Sequence, residues 1–269
     1  MDGALLDIQD LSLEFGGIRA LHNVSLTLRG SEIVALVGPN GAGKTCVLNI
    51  ISGVYRPTGG TAFFEGRELV GIPPHKIASL GIARTFQNGE LFHNLTVVEN
   101  LLLGCHHLMR SNIFRAGFFW GFARREEIDL RRRVEEVIDF LELGRYRKQL
   151  TANLPFGVQK LVGVGRALAM KPKLLLLDEP GSGLNRQEKE DLARFLLRIK
   201  YQLDTPMLWV EHDIKMVSDL SDRIIVLHYG EKIAEGTMAE LSNDPQVVQA
   251  FLGDKSDVVA MESGGGRGA

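Results

Sequence analysis

Apolar and polar residues alternate at the start of the chain, in residues 6–15 with DLSLEF and again in 24–29 with VSLTL. A period of two predicts half-buried strands of an antiparallel sheet. EIVALVG, 32–38, is instead a near-continuous apolar run, as expected of a strand covered on both faces. GKTCVLNIISG follows with helical spacing and closes on Gly53, so the stretch reads strand, glycine loop, helix. TAFFEG reads as another strand, PPHKIASLG as a short helix with proline at its start, and IARTFQ as a strand running into a loop.

The texture changes between about Thr96 and Met170, where VVENLLLG, EEIDLRRRVEEVIDFLELG and VQKLVGVGRALAM all carry helical periodicity. A helical block is inserted there. Its last helix is preceded by LPFGVQ, a proline and a glycine just ahead of the helical run. Beyond it, KLLLLD, TPMLWVE and RIIVLHYG are apolar strands separated by the helical stretches QEKEDLARFLLRIKYQL and IKMVSDLS. That alternation predicts a parallel α/β sheet. A flexible tail is expected from about Asp254, and no internal repeat is visible.

With 269 residues, 45% of them hydrophobic, the chain is globular and holds one large domain or two small ones. A formal charge of −2 gives no support for a nucleic-acid role. The two cysteines, Cys46 and Cys105, form neither a zinc pattern nor a disulfide framework and read as buried small hydrophobes of a reducing compartment. MDGALLDIQD lacks the basic start and apolar block of a signal peptide, and no stretch reaches the roughly 18 apolar residues of a membrane span. NIFRAGFFWGFARREE, 112–127, crowds aromatics between arginines and reads either as core or as a docking segment.

GPNGAGKT, 38–45, fits G-x-x-x-x-G-K-[ST] between a buried strand and a helix. Phosphate needs several backbone N–H groups at close range, which glycines such as Gly41 and Gly43 permit. Lys44 then supplies a charge to the outer phosphates and the Thr45 hydroxyl a ligand for Mg²⁺. LLLLDEP ends a second buried strand on Asp178, placed to reach the metal, and Glu179, placed to polarise an attacking water. The plainer reading of such an acidic pair is helix N-cap chemistry with Pro180 following.

GPNGAGKT, RTFQN, LPFGVQ, LLLLDEP, SGLN and VEHD occur in the order of an ATP-binding-cassette ATPase, and the resemblance covers nearly the whole chain. It implies an α/β P-loop NTPase fold over residues 1–253, with an N-terminal antiparallel β subdomain and an inserted helical subdomain at about 88–170. It implies that ATP is held by Gly38, Pro39, Asn40, Gly41, Ala42, Gly43, Lys44, Thr45 and Cys46, with Phe15 against adenine. Gln87 resembles the residue that touches Mg²⁺ and the attacking water, and His212 the switch histidine on the γ-phosphate. Without the resemblance Phe15 reads as a strand-end core residue, Gln87 as a loop glutamine and His212 as structural.

LPFGVQ resembles the signature loop, which in that family caps the γ-phosphate of a partner's ATP across a head-to-tail dimer. The implied contacts are Leu154, Pro155, Phe156, Gly157, Val158 and Gln159. The usual signature is LSGGQ, so Pro155 stands at the serine and Phe156 at the first glycine; phosphate binding then leans on Gly157, Val158 and the helix end. Gly163 and Gly165 weaken the following helix by about 1 kcal/mol each relative to alanine. Asn185 stands where many cassettes carry aspartate.

GIARTFQNGELFHNLTVVENLLLG, the long 110–127 insertion and AEGTMAELSNDPQVVQAFLG resemble the importer branch that serves branched-chain amino acids and related solutes. The implied protein is an ATP-hydrolysing subunit, dimeric with itself or a sister cassette. It docks on permease subunits at the cytoplasmic face of the membrane and is served by a solute-binding protein. The alternatives are a cassette that binds ATP without efficient hydrolysis, or one that acts on nucleic acid.

Overall fold

A computed structural model describes residues 3–85, 91–105 and 120–252. The chain divides into two compact units, one holding the described residues up to Ile77 and from Leu176 onward, the other Ala78–Leu175.

In the first unit, β1 (Leu6–Phe15) and β2 (Ile18–Leu28) form an antiparallel pair in which Leu6, Ile8, Leu11 and Leu13 face Leu28, Leu26, Val24 and Leu21. All eight are buried, so the alternation along the chain becomes one apolar face. Strand β2 begins six residues before the expected strand at Val24. The reason is the two-residue turn Gly16–Gly17, whose φ values of 52° and 86° give the hairpin its tight reversal and pair Phe15 with Ile18. Strands β4 (Gly59–Phe64) and β5 (Arg67–Glu68) complete this sheet in the order β2-β1-β4-β5.

The second sheet of this unit runs β10-β9-β3-β8-β7, from β3 (Ile33–Val37), β7 (Leu174–Asp178), β8 (Met207–Val210), β9 (Arg223–His228) and β10 (Glu231–Gly236). β3 pairs parallel to both β8 and β9. β3, β7 and β8 are buried along their whole length, which is why they read as unbroken apolar runs. Strand β10, by contrast, gave no apolar signal. EKIAEG is a charged edge strand, folded back on β9 by a Tyr229–Gly230 turn with both φ values positive. Arg223 ties the two sheets together by donating to the Thr27 carbonyl at 2.6 Å and Glu32 at 2.7 Å, with Glu235 on its other arm. Helices α1 (Lys44–Ile51), α6 (Arg186–Leu203) and α7 (Ile214–Leu220) flank the sheet in sequence. The loops that leave the carboxyl ends of β3, β7 and β8 carry the motif residues, the usual place for a ligand on such a sheet.

Among its described residues the second unit holds β6 (Ile82–Thr85) and the α-helices α3 (Val97–Cys105), α4 (Trp120–Phe140) and α5 (Phe156–Ala169). A short helix α2 (Pro74–Leu80) carries the chain into it. Gly104 and Gly165 let the helices approach closely. A Cβ on Gly104 would lie 2.5 Å from the Arg166 carbonyl, and one on Gly165 3.0 Å from a Leu141 methyl. Gly165 is therefore a packing residue rather than a mere weakness in its helix, whereas Gly163 faces open space. Cys105 is buried with its thiol on the Ala169 carbonyl, and burial raises its pKa to about 11; Cys46 is only half-buried, short of the core position expected of it. Residues 112–119 of the aromatic insertion and the tail from 254 lie outside the described residues. Among the described residues no helix is long and apolar enough to cross a membrane.

Candidate functional site

The loop between β3 and α1 owes its glycines to two different constraints. Gly38 and Gly43 are fixed by crowding: a Cβ would sit 2.0 Å from the Leu227 carbonyl oxygen at the first and 2.6 Å from a Leu21 methyl at the second. Gly41 lies in open space, but its φ of 80° favours glycine all the same. Ala42 is buried and donates its N–H to the Pro39 carbonyl at 3.1 Å, closing the loop, while Asn40 stays exposed. Gly43 then caps α1, so Lys44, Thr45 and Cys46 form the helix's first turn.

Lys44 is 6% exposed, and its ammonium donates to the carbonyls of Gly38 at 2.7 Å and Pro39 at 2.9 Å. Burial lowers its pKa, while the carboxylates of Glu179 and Asp178 pull it back up. The cation therefore lies within electrostatic reach of both acids.

Asp178 is buried at the last position of β7. Glu179 follows in a left-handed backbone conformation, φ 47°, uncommon for a residue with a Cβ, and donates its N–H to the Val210 carbonyl at the end of β8. That strained turn aims the Glu179 carboxylate at His212, whose Nε2 lies 2.8 Å from Oε1. Neither acid caps a helix. α6 is capped instead by Asn185, which accepts from the Glu188 N–H while Glu188 accepts from the Asn185 N–H, so the plainer reading of the DE pair does not hold.

One acid in this loop cluster went unread in the sequence. Glu211, at the end of the apolar run TPMLWVE, is 3% exposed. Burial pushes its pKa up to about 7; Asp213 and Glu179 add to the rise, while Lys189 and the Gly181 N–H oppose it. A glutamate placed directly after four buried strand residues was the available signal.

Phe15 ends β1 with 46% of its surface exposed and meets Tyr55 edge-on at 5.2 Å between ring centroids. It is a strand-end residue, but not a core one. Tyr55 is a second neighbour that the sequence did not single out.

Leu154, Pro155, Phe156, Gly157, Val158 and Gln159 belong to the other unit, where they form the N-terminus of α5. Pro155 is the N-cap, at φ −53° and ψ 147°, with no side-chain cap bond. The first intrahelical bond runs from the Gln159 N–H to the Pro155 carbonyl at 3.0 Å, which puts the positive helix end at Phe156–Val158. Phe156 is 49% exposed under the Lys160 ammonium, Gly157 is buried, and Leu154 is buried with its carbonyl accepting from the Gln159 amide. Gln87 lies outside the described residues.

The first unit therefore gathers a phosphate-sized glycine loop, a buried cation, two carboxylates and an imidazole. Comparisons with known proteins agree with that chemistry. The family model of the ABC transporter matches residues 21–182, and that of the branched-chain amino acid ATP-binding cassette transporter matches 231–257. The high-affinity branched-chain amino acid transport ATP-binding protein LivG of Salmonella typhimurium is 39% identical over 254 residues, 94% of this chain and all of that one. BraF of Pseudomonas aeruginosa, described in the same words, is 37% identical over 255 residues, 94% of this chain and all of its own. A crystal structure of the ADP conformation of an ATP-binding cassette of an ABC transporter superposes with a TM-score of 0.82 at 28% identity, covering 94% of this chain and all of that one. The loop geometry, the acid pair at the end of β7 and these likenesses over almost the whole length lead to one conclusion: the chain belongs to the ABC transporter family, as one of its ATP-binding cassettes.

Proposed function

We propose that the chain is the ATP-hydrolysing subunit of an importer for branched-chain amino acids or a related small solute. The observation that carries the reading is the convergence of Lys44, Asp178, Glu179 and His212 at the carboxyl ends of neighbouring strands. In this reading the N–H groups of 38–43 and the Lys44 ammonium hold the outer phosphates of ATP, exchanging the loop carbonyls that Lys44 now grips for phosphate oxygens. Thr45 and Asp178, with Gln87, hold Mg²⁺. A hydroxyl and a single buried carboxylate suit a hard ion that draws its other ligands from phosphate and water; among the described residues no cage of three or more His, Cys, Asp or Glu side chains offers an alternative. When bound, the ion neutralises charge on the terminal phosphates. Glu179 accepts the proton of the attacking water, and His212 holds that carboxylate in place and hydrogen-bonds the transferring group. Phe15 stacks on the adenine.

Residues 154–159 serve the nucleotide of a second cassette, a copy of this chain or a sister, so that two composite sites form in a head-to-tail dimer. ATP then favours the closed dimer over the open one by its tighter binding there. Closure draws on integral membrane permease subunits at the cytoplasmic face, with a solute-binding protein delivering cargo; the chain itself is peripheral. The family names of the relatives and the match at 231–257 support this assignment.

The test is Glu179→Gln with ATP and no Mg²⁺. Size-exclusion chromatography is expected to show a nucleotide-bound dimer, and a chain that stays monomeric at all ATP concentrations overturns the composite site.

A further inference from the structure

Glu211 has no role in the reading above, yet it lies at the centre of the loop cluster. It follows β8, and three elements converge on it. From the β7 loop, the Gly181 N–H bonds to its carboxyl group. From α6, Lys189 acts on it electrostatically while forming a 2.6 Å ion pair with Asp213, two residues past Glu211. From α7, the Met216 sulfur closes the space beside Gly181. The fit between residues 181 and 211 is tight. A Cβ on Gly181 would stand 2.2 Å from Glu211 Oε1 and 2.9 Å from the Met216 sulfur, so the carboxyl group occupies the place that a side chain at 181 would need.

We infer that Glu211 is a positioning residue: its carboxyl group clamps the Gly181 N–H and so fixes the 179–184 loop, which holds Glu179 on His212. The inference rests on the proposed hydrolytic role of Glu179. The geometry gives the clamp its reach. Glu179 and Gly181 are on one loop and Glu211 and His212 on the next, so a single link between them sets both members of the 2.8 Å Glu179–His212 contact. The same loop runs on into Ser182, Gly183, Leu184 and the Asn185 cap of α6, so the clamp also sets where that segment begins. The charged and titratable groups around Glu211 are Asp213, Lys189 and Glu179, with His212 beside it in the chain.

The test uses the full chain and reads two quantities, amide hydrogen exchange across 179–184 and steady-state ATP turnover with its KM. Glu211→Ala is expected to speed exchange across the loop by about tenfold and lower kcat by a similar factor, with KM for ATP within about twofold, since the phosphate loop is untouched. Glu211→Gln keeps an oxygen for the Gly181 N–H and should remain within about threefold of wild type in both readouts. Gly181→Ala should reproduce the Glu211→Ala loss, and the double variant should be no worse than the poorer single, because both break one contact.

Wild-type exchange in Glu211→Ala overturns the clamp whatever the turnover, and faster exchange with unaltered kcat overturns its link to Glu179. Effects of the two alanine variants that multiply in the double variant also overturn it. If Glu211→Ala does not fold, Gly181→Ala against Glu211→Gln decides by the same two readouts. If wild-type chain binds ATP but does not hydrolyse it while exchange responds as expected, the hydrolytic reading falls and the clamp stands.

Discussion

Two glycine-bearing segments of this chain, 38–43 and 154–159, lead into or open a helix, and both are proposed to serve phosphate; they differ in what dictates their residues. In 38–43 the chain's own packing does so. Gly38 is pressed against the Leu227 carbonyl, Gly43 against Leu21, and the Lys44 ammonium is held by two loop carbonyls. In 154–159 the unit that contains the segment buries Leu154 and Gly157 but imposes less on the residues between them. Pro155 and Phe156 face outward, no side chain caps the helix, and Gly163 one turn further on has open space where its Cβ would be. The first segment keeps a strict motif because the fold would fail locally without it. The proposed role of the second, on the nucleotide of another cassette, is consistent with its departure from LSGGQ.

The largest effect expected from this contrast is at Lys44. Lys44→Ala removes the one cation built into the loop and should lower turnover by about 10²-fold or more while weakening ATP binding. An equilibrium nucleotide titration checks it, and unchanged affinity would remove the loop from the site. Gly38→Ala should destabilise the chain by about 2–4 kcal/mol in denaturant titration, because a backbone carbonyl cannot yield 2.0 Å contact space as a flexible side chain would. Phe156→Ala, on the exposed segment, should cost less than about 1 kcal/mol in the same titration. Equal losses would mean that the two loops are equally bound by their own packing.

The filled centre also stores a charge cost that the exposed segment lacks. Glu211 has its pKa raised from 4.5 to about 7, so between those values the native chain holds a proton that the unfolded chain has released. Its contribution to stability is therefore present below about pH 4.5 and is lost as pH rises through about 7. Glu211→Gln cannot ionise. Its melting temperature relative to wild type should therefore climb from pH 5 to pH 8, measured by calorimetry at matched ionic strength. The low pKa of Asp213 works in the opposite direction but is present in both proteins, so the difference isolates residue 211. A flat difference would place the Glu211 carboxyl in contact with water.

Much of this was legible in the sequence, for reasons that follow the same division. β3, β7 and β8 are covered on both faces, so burial wrote itself as continuous apolar runs; Gly38 and Gly43 sit where crowding leaves no choice, and Gly41 where a positive φ favours glycine. Asp178 and Glu179 stood out because two acids end an apolar strand. What was hidden is what local pattern does not encode. β10 is a charged edge strand set by the Tyr229–Gly230 turn, and β2 was entered too late because Gly16–Gly17 was not recognised as a hairpin turn. The Glu211–Gly181 contact joins residues thirty positions apart, and no spacing rule points to it. Gly163 and Gly165 look alike in VGVGRAL, yet only Gly165 is pressed by a neighbour, the Leu141 methyl at 3.0 Å. Gly163→Ala should accordingly stabilise the chain by about 0.5–1 kcal/mol in denaturant titration, and Gly165→Ala should show no such gain.

The smallest effect expected is at Pro155, and it tests the contrast most finely. Proline at the N-cap has φ −53°, a value its ring already prefers, so it organises the entry to α5 without a side-chain bond. Pro155→Ser gives up that rigidity and gains a hydroxyl that could cap the helix or reach a phosphate on a partner cassette. The two changes oppose each other, and each is about the size of one exposed hydrogen bond, so ATP turnover should stay within about threefold of wild type or rise. The measurement is steady-state ATPase at protein concentrations above and below dimerisation, because a signature acting across an interface changes turnover only where dimers form. A severe loss at both concentrations would mean that the proline is required by its own unit, and that 154–159 is as tightly dictated from within as 38–43.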